Sequence, residues 1–153
     1  MNYDDKHTVY AGGTTVKAAA PLGTIPVYVR EGAIIPRGDI VKLNNNWDAN
    51  WSPKLRIEVF PSTKQKSQFD YYTGSTVQSI TVAPGSGGLT IEFGDLGTPG
   101  TVEVYCQKVK GVTRNGVKLR EGPDYQYDKQ TNKLTVSFQG ATRISVDGAV
   151  TLF

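Results

Sequence analysis

The feature that most constrains this fold is the alternation of apolar and polar residues with a period of two. The alternation is clearest in Leu55–Phe60, Leu89–Phe93, Thr101–Cys106 and Lys133–Phe138. A period of two is typical of β-strands with one buried face, and no stretch of the sequence has the 3.6-residue period of an amphipathic helix. Roughly ten short strands follow one another at intervals of about 8–12 residues. The sequence therefore predicts an all-β fold, an antiparallel β-sandwich.

Turn-forming residues separate the predicted strands. Asn115 and Gly116 lie between two apolar runs, and both residue types tolerate the positive φ angles of a type I′ hairpin. Residues 84–88 predict a turn between a strand at 76–82 and the strand that follows it. Residues 129–132 predict a longer hairpin loop. These turns indicate that consecutive strands pair as hairpins.

The N-terminal part of the chain contains a charged corner between apolar runs. Val27–Val29 and Ala33–Ile35 flank Arg30, Glu31 and Gly32, and glycine takes the positive φ that a tight corner needs. We expect buried β-structure that turns sharply here. Adjacent residues of an extended chain point to opposite faces, so Arg30 and Glu31 are not expected to pair with each other. A structural role for both is favoured over a catalytic one.

One change in composition divides the chain. Residues 42–53 are polar, rich in asparagine and poor in strand-forming residues. We predict a loop or linker there, between a β-segment at 1–41 and a β-sandwich domain at 54–153. The fold is then one sandwich or two small β-segments joined by an Asn- and Trp-rich loop.

Composition excludes several classes of function. A net charge of +3, from 17 basic and 14 acidic residues spread along the chain, argues against a nucleic-acid partner, which requires clustered Lys and Arg. No apolar run approaches the ~18 residues of a membrane span. Cys106 and His7 are each the sole residue of their type, so we expect no disulfide, metal site or cofactor. The tripeptide at 50–52 is a glycosylation sequon, which weakly favours a secreted or extracellular location.

The carboxylates give no catalytic prediction. Glycoside cleavage usually requires two carboxyl groups that flank the scissile bond. The pairs that lie near each other in sequence are Asp4/Asp5, Glu92/Asp95 and Asp124/Asp128. None belongs to a recognisable motif, and surface or turn roles are favoured for all of them.

Aromatic residues supply the candidate carbohydrate-binding site. Trp47 and Trp51 lie in the Asn-rich segment beside Asn46; indole rings stack on sugar rings, and amides bond hydroxyl groups as donor and acceptor. The alternative interpretation is that both rings are buried in the joint between the two β-segments. Tyr71 and Tyr72 form a second candidate platform, with one ring predicted to face the core and the other solvent.

Residues Tyr10–Pro36 resemble a known family. The similarity rests on the Gly-Gly pair at 12–13, Pro-Leu at 21–22, Ile-Pro at 25–26 and the Arg-x-Gly-x-Ile-Ile-Pro pattern at 30–36. Together these resemble the β-region that follows the catalytic barrel in glycoside hydrolase family 31, which includes α-glucosidases and α-xylosidases. Residues 55–61 and 69–72 are similar to the start of that family's distal C-terminal domain, although Thr73 and Gly74 replace its acidic pair.

The resemblance implies a function without catalysis. The family's catalytic carboxylates lie in a barrel that has no counterpart in this sequence. The resemblance therefore implies a non-catalytic C-terminal β-module, with a structural role or an accessory contact to carbohydrate. Its expected partners are the catalytic barrel or another copy of the chain, together with an oligosaccharide, and Arg30 and Glu31 are expected to make an inter-domain contact. The alternative is a free-standing, lectin-like β-sandwich that binds sugar.

Overall fold

The structure, a computed structural model, describes residues 1–38 and 54–152. No helix long and apolar enough to cross a membrane occurs within these ranges. The described secondary structure consists of strands, whose bounds are β1 Ile34–Arg37, β2 Leu55–Val59, β3 Ser67–Tyr72, β4 Val77–Gly85, β5 Gly88–Phe93, β6 Gly100–Gln107, β7 Gly111–Arg114, β8 Val117–Lys118, β9 Tyr125–Asp128, β10 Lys133–Phe138, β11 Thr142–Asp147 and β12 Val150–Thr151.

The strands form two sheets. The first has the order β1-β2-β6-β10-β9, and β12 pairs with the end of β6. The second has the order β3-β4-β5-β11-β7-β8. The prediction of an all-β sandwich is confirmed. One correction concerns strand direction: β2 and β6 pair in parallel, because the chain leaves the first sheet after β2, builds three strands of the second, and returns.

The main core lies between the two sheets. Leu134 and Val136 of β10, like Ile91 of β5, are fully buried, as the period-two alternation predicts. Phe93 and Phe138 join the sheets through an edge-to-face contact with ring centroids 4.9 Å apart. These inward-facing side chains provide most of the buried apolar surface that stabilises the fold.

A second, smaller core covers the outer face of the first sheet. Met1 and Val29 from the N-terminal segment pack against Phe60 and Tyr105, and all four are buried. Phe60 and Tyr105 are stacked, with ring centroids 4.7 Å apart and planes inclined by 12°. The expectation that the strand at 55–60 is half-buried is therefore wrong: the N-terminal segment covers its second face, and Glu58 on that face is buried as well.

The charged corner differs in part from its prediction. Ile34–Arg37 forms a strand that pairs with β2, and Val29 is buried. However, residues 27–29 do not form a strand; one isolated bridge joins Tyr28 to Asn2, and the side chains of Val27 and Tyr28 are exposed. The apolar run at 27–29 is therefore extended and hydrogen-bonded to the N-terminal residues, since the Val29 amide donates to the Met1 carbonyl oxygen and the Tyr3 amide donates to the Val27 carbonyl oxygen.

The predicted turns occur where expected. Asn115 and Gly116 have φ angles of 50° and 81° and connect β7 to β8. The hairpin of β4 with β5 and that of β9 with β10 are also present. Because β1 pairs with β2, the segment at 1–41 contributes a strand to the first sheet, while the division into domains at 42–53 remains a prediction.

Candidate functional site

The predicted site residues lie in three different places. Trp47, Trp51 and Asn46 are outside the described residues, so their role stays a prediction. Tyr71 and Tyr72 are at the end of β3. As predicted for adjacent residues of a strand, the two side chains lie on opposite faces: Tyr71 packs against the main core, whereas Tyr72 is 66% exposed.

Tyr72 belongs to an apolar pair on the outer face of the second sheet. Its partner in register is Val77 of β4, which is 62% exposed. The Tyr72 hydroxyl donates a hydrogen bond of 2.6 Å to the carbonyl oxygen of Gly74. This bond fixes the position of the ring beside the turn that joins β3 to β4.

Three hydrogen-bonded polar side chains continue the same face. Asp70 Oδ1 accepts hydrogen bonds from Ser79 Oγ at 2.7 Å and from Gln68 Nε2 at 2.9 Å. Gln68 Nε2 also lies 3.3 Å from Ser79 Oγ. The hydrogen bonds from Ser79 and Gln68 lower the pKa of Asp70, so its carboxylate is ionised at neutral pH. We call Gln68, Asp70, Tyr72, Val77 and Ser79 together the β3–β4 face.

Arg30 and Glu31 line a polar cleft of about 330 Å³. We call it the Arg30 cleft; its other lining residues are Gly32, Ser62, Lys64, Gln65, Lys66, Ser67 and Gln68. Glu31 Oε1 accepts a hydrogen bond of 2.7 Å from Ser62 Oγ. No carboxylate in the described ranges forms an ion pair with Arg30, and the same is true of Lys64 and Lys66. The cleft therefore presents an excess of positive charge.

Gly32 allows the corner to approach the strands beside it. Its φ angle is 81°, and a Cβ atom added there would lie 2.7 Å from Ser67 Oγ. Its amide donates to the carbonyl oxygen of Phe60 at 2.7 Å, and the Phe60 amide donates to Ala33 at 2.9 Å. The corner is thus bonded directly to the end of β2.

A polar network around the buried side chain of Glu58, which the sequence did not predict, anchors the N-terminal segment. The Tyr3 hydroxyl donates a short hydrogen bond to Glu58 and accepts one from Arg37 Nη1 at 2.8 Å. Arg37 Nη1 is also 3.3 Å from Glu58 Oε1, and the Glu58 side chain is only 5% exposed. Lys6 Nζ lies 4.4 Å from the centre of the Tyr3 ring. The buried carboxylate is therefore compensated by a phenol and a guanidinium.

Tyr3 leads to a prediction about alkaline pH. Burial, with the hydrogen bond and charge of Glu58, raises the pKa of Tyr3 to about 12, whereas a tyrosine in an unfolded chain has a pKa of about 10. Between these values the unfolded chain loses a proton that the folded protein keeps, so the contribution of Tyr3 to stability is complete below pH 10 and is lost as pH rises towards 12.

We expect urea melts to show this loss. At pH 9 the protein should exceed its Tyr3→Phe variant in free energy of unfolding, and the difference should shrink as pH rises from about 10 to about 12. A difference that does not change with pH would contradict the assignment.

The segment before the corner presents exposed apolar side chains. Leu22 is fully exposed and Ile25 is 81% exposed, and Val27 and Tyr28 continue the exposed apolar surface. We call residues 22–28 the apolar segment. Large apolar side chains exposed close together usually mark a surface that contacts another protein surface.

Two of the carboxylates noted in the sequence, Asp5 and Asp128, stabilise turns. Asp5 accepts hydrogen bonds from the amides of His7 and Thr8, and these lower its pKa to about 2. Asp128 similarly accepts hydrogen bonds from Gln130 and Thr131. Among the residues with described positions, no three His, Cys, Asp or Glu side chains form a group that could hold a metal ion.

The fold matches part of larger, solved proteins. A solved structure of the cycloalternan-forming enzyme from Listeria monocytogenes, in complex with a pentasaccharide substrate, superposes with a TM-score of 0.78 at 22% identity and covers 98% of this chain. The Listeria protein lmo2446, in complex with α-D-glucose, β-D-glucose, magnesium and calcium, gives the same TM-score and identity. A second crystal structure of lmo2446 superposes with a TM-score of 0.77 at 23% identity and covers 96% of this chain.

The match covers only a small part of those proteins. This chain spans 16% of the length of each. No protein-family model and no curated protein sequence matches it. The chain therefore has a fold that also forms one part of a carbohydrate-active enzyme.

Proposed function

We propose that this chain is a non-catalytic C-terminal β-domain of a family 31 glycoside hydrolase, and that the apolar segment docks it onto the catalytic domain. The observation that carries the proposal is the exposure of Leu22 and Ile25. Both lie within the residues that resemble the region directly after that family's barrel.

The energetics of the apolar segment support a covering partner. Burial of one large aliphatic side chain contributes about 1.5–3 kcal/mol, and neither Leu22 nor Ile25 makes that contribution within this fold. The neighbouring Arg30 cleft adds positive charge that no carboxylate in the described ranges pairs with, which favours a partner surface with acidic groups. An apolar contact beside an electrostatic one is typical of an interface between domains.

The structural neighbours support the same proposal. The matched region is 16% of each neighbour, and one neighbour is described as an enzyme in complex with a pentasaccharide substrate. A domain of this size, carried within a longer enzyme, suits an accessory role. Two carboxylates, Asp5 and Asp128, are held in turns by the backbone amides of residues two positions further along the chain. We accordingly expect the purified chain not to hydrolyse aryl α-glucosides or α-xylosides.

The docking role leads to a prediction for the isolated chain. We expect it to bind an apolar dye such as ANS and to self-associate as concentration rises, because the apolar segment lacks its cover. The double variant Leu22→Ser/Ile25→Ser should bind several-fold less dye and remain monomeric. Its unfolding midpoint should be unchanged, since exposed side chains contribute little to folding. Dye fluorescence, light scattering and thermal melts measure these quantities.

The control for this experiment is a second exposed apolar residue away from the segment. Val117 lies at the far edge of the second sheet and is also exposed, so Val117→Ser should leave dye binding and association as they are. If the chain stays monomeric and does not bind the dye at high protein concentration, the result contradicts the docking role and favours a free-standing, lectin-like module.

The lectin-like alternative has an observation of its own. The β3–β4 face combines an exposed tyrosine with a hydrogen-bonded polar cluster. It requires no second domain to be complete. The two functions are compatible on one chain, because the apolar segment and the β3–β4 face use different residues.

A further inference from the structure

We infer that the β3–β4 face is a binding site for a neutral oligosaccharide, with one sugar ring on Tyr72 and Val77 and the hydroxyl groups of the next sugar on Asp70 and Gln68. The inference deepens the proposed function, from which it takes the ligand class. The proposed site lies on the second sheet and shares no residue with the apolar segment.

The apolar half of the site is the pair formed by Tyr72 and Val77. The two residues are direct cross-strand partners, so their side chains lie on the same face of the sheet. Both are more than half exposed. The C–H groups of a pyranose ring present an apolar surface that fits an aromatic ring, and the Val77 methyl groups widen that platform.

The polar half of the site begins one step along the strand. Gln68 and Asp70 lie on the same face as Tyr72, because the three residues occupy every second position of β3. Neighbouring members of this row are about 7 Å apart. The distance between the Tyr72 and Asp70 positions suits neighbouring units of an oligosaccharide, and the hydrogen bond from Gln68 to Asp70 brings these two side chains together at the second unit. The order along β3 is then an apolar platform, a carboxylate and an amide.

The polar side chains still have acceptors to offer. Asp70 Oδ1 accepts from both Gln68 and Ser79, while the remaining oxygens, Asp70 Oδ2 and Gln68 Oε1, accept no hydrogen bond from any residue in the described ranges. Sugar hydroxyl groups are donors, and a bond to an ionised carboxylate is among the stronger hydrogen bonds. Two free acceptors with fixed positions therefore match two hydroxyl groups of one sugar.

Pre-ordering favours binding at this face. The Tyr72 ring is held by its bond to Gly74, and Asp70 is held by two donors. Side chains that are already fixed lose less conformational freedom when a ligand binds. The site also lies at the outer edge of the sheet, because β3 has β4 as its only neighbour in the described sheet.

The test is titration of the purified chain with maltohexaose and isomaltohexaose by calorimetry or NMR. We expect saturable binding of at least one of them, with the dissociation constant raised about tenfold or more by Tyr72→Ala. Asp70→Ala should raise it several-fold. The matched control is Tyr28→Ala, which removes an exposed tyrosine from the apolar segment and should leave the dissociation constant unchanged.

Three outcomes would overturn the inference. They are a chain that binds neither sugar, binding that is insensitive to Tyr72→Ala, and binding that Trp47→Ala or Trp51→Ala abolishes while Tyr72→Ala does not. Unfolding midpoints of the variants distinguish loss of the site from loss of the fold. The Leu22→Ser/Ile25→Ser variant keeps the two proposals separate: it should bind sugar normally, whatever its effect on dye binding.

Discussion

Replacement of Phe60 by alanine is expected to lower the free energy of unfolding by about 3–5 kcal/mol, the range measured when a large buried aromatic ring is truncated. Phe60 has no exposed surface, and its ring stacks on Tyr105 and contacts Tyr3. Its removal opens a cavity between the N-terminal segment and the first sheet. The loss is a large part of the 5–15 kcal/mol that typically stabilises a domain.

Phe69→Ala provides the matched control, because it deletes the same atoms from a position that is 38% exposed. We expect it to lose about 1–2 kcal/mol. Urea melts give both values, and hydrogen exchange at the Val29 amide, which bonds to the Met1 carbonyl oxygen, reports release of the N-terminal segment. Equal losses of unfolding free energy in the two variants would mean that the smaller core on the outer face of the first sheet is not packed as described.

Gly100→Ala is the second change for which we expect a large effect, a loss of about 3 kcal/mol or more. Gly100 begins β6 and is the register partner of both Leu55 and Phe138. A Cβ atom there would clash with the Leu55 carbonyl oxygen and lie 2.8 Å from the Phe138 ring. The backbone of β2 cannot yield without breaking its pairing with β6, so strain is unavoidable.

Gly85→Ala is the corresponding control at a glycine with room for a side chain. A Cβ atom at Gly85 meets a single backbone oxygen at 3.9 Å, and we expect a change within about 0.5 kcal/mol. Thermal or urea unfolding of the two variants measures the comparison. If Gly100→Ala proved as harmless as Gly85→Ala, the close approach of β2 to β6 would be wrong.

The sequence predicted the inner faces of the sheets well. Alternation placed Val102, Val104 and Cys106 on one side of β6, and all three are fully buried. Burial also raises the pKa of the Cys106 thiol to about 12. The Asn-Gly hairpin was equally predictable, since both residues adopt the positive φ angles that their types favour.

The outer face of the first sheet could not be predicted in the same way. Alternation assigns Glu58 to a solvated face, but a segment distant in sequence covers it and supplies Tyr3 as its hydrogen-bond donor. Nothing local in the sequence encodes that contact. The signal in the sequence that something covers this face is the presence of aromatic residues, Phe60 and Tyr105, at positions that alternation predicts to point outward.

The β3–β4 face was predictable only in part. The opposite orientations of Tyr71 and Tyr72 follow from their adjacency in a strand. The cluster of Gln68, Asp70 and Ser79 does not, because it depends on the register between two strands, and a shift of one residue would move Ser79 to the other face.

The parallel pairing of β2 with β6 has a consequence for the order in which the chain folds. The antiparallel β3–β4–β5 unit closes through short local turns, whereas β2 reaches β6 only after that whole unit has been spanned. Closure of the longer loop has the larger entropic penalty, so docking of β1, β2 and the N-terminal segment is expected to follow the rate-limiting step. Substitutions in the smaller core on the outer face of the first sheet should then act chiefly on the rate of unfolding and leave the rate of folding nearly unaltered.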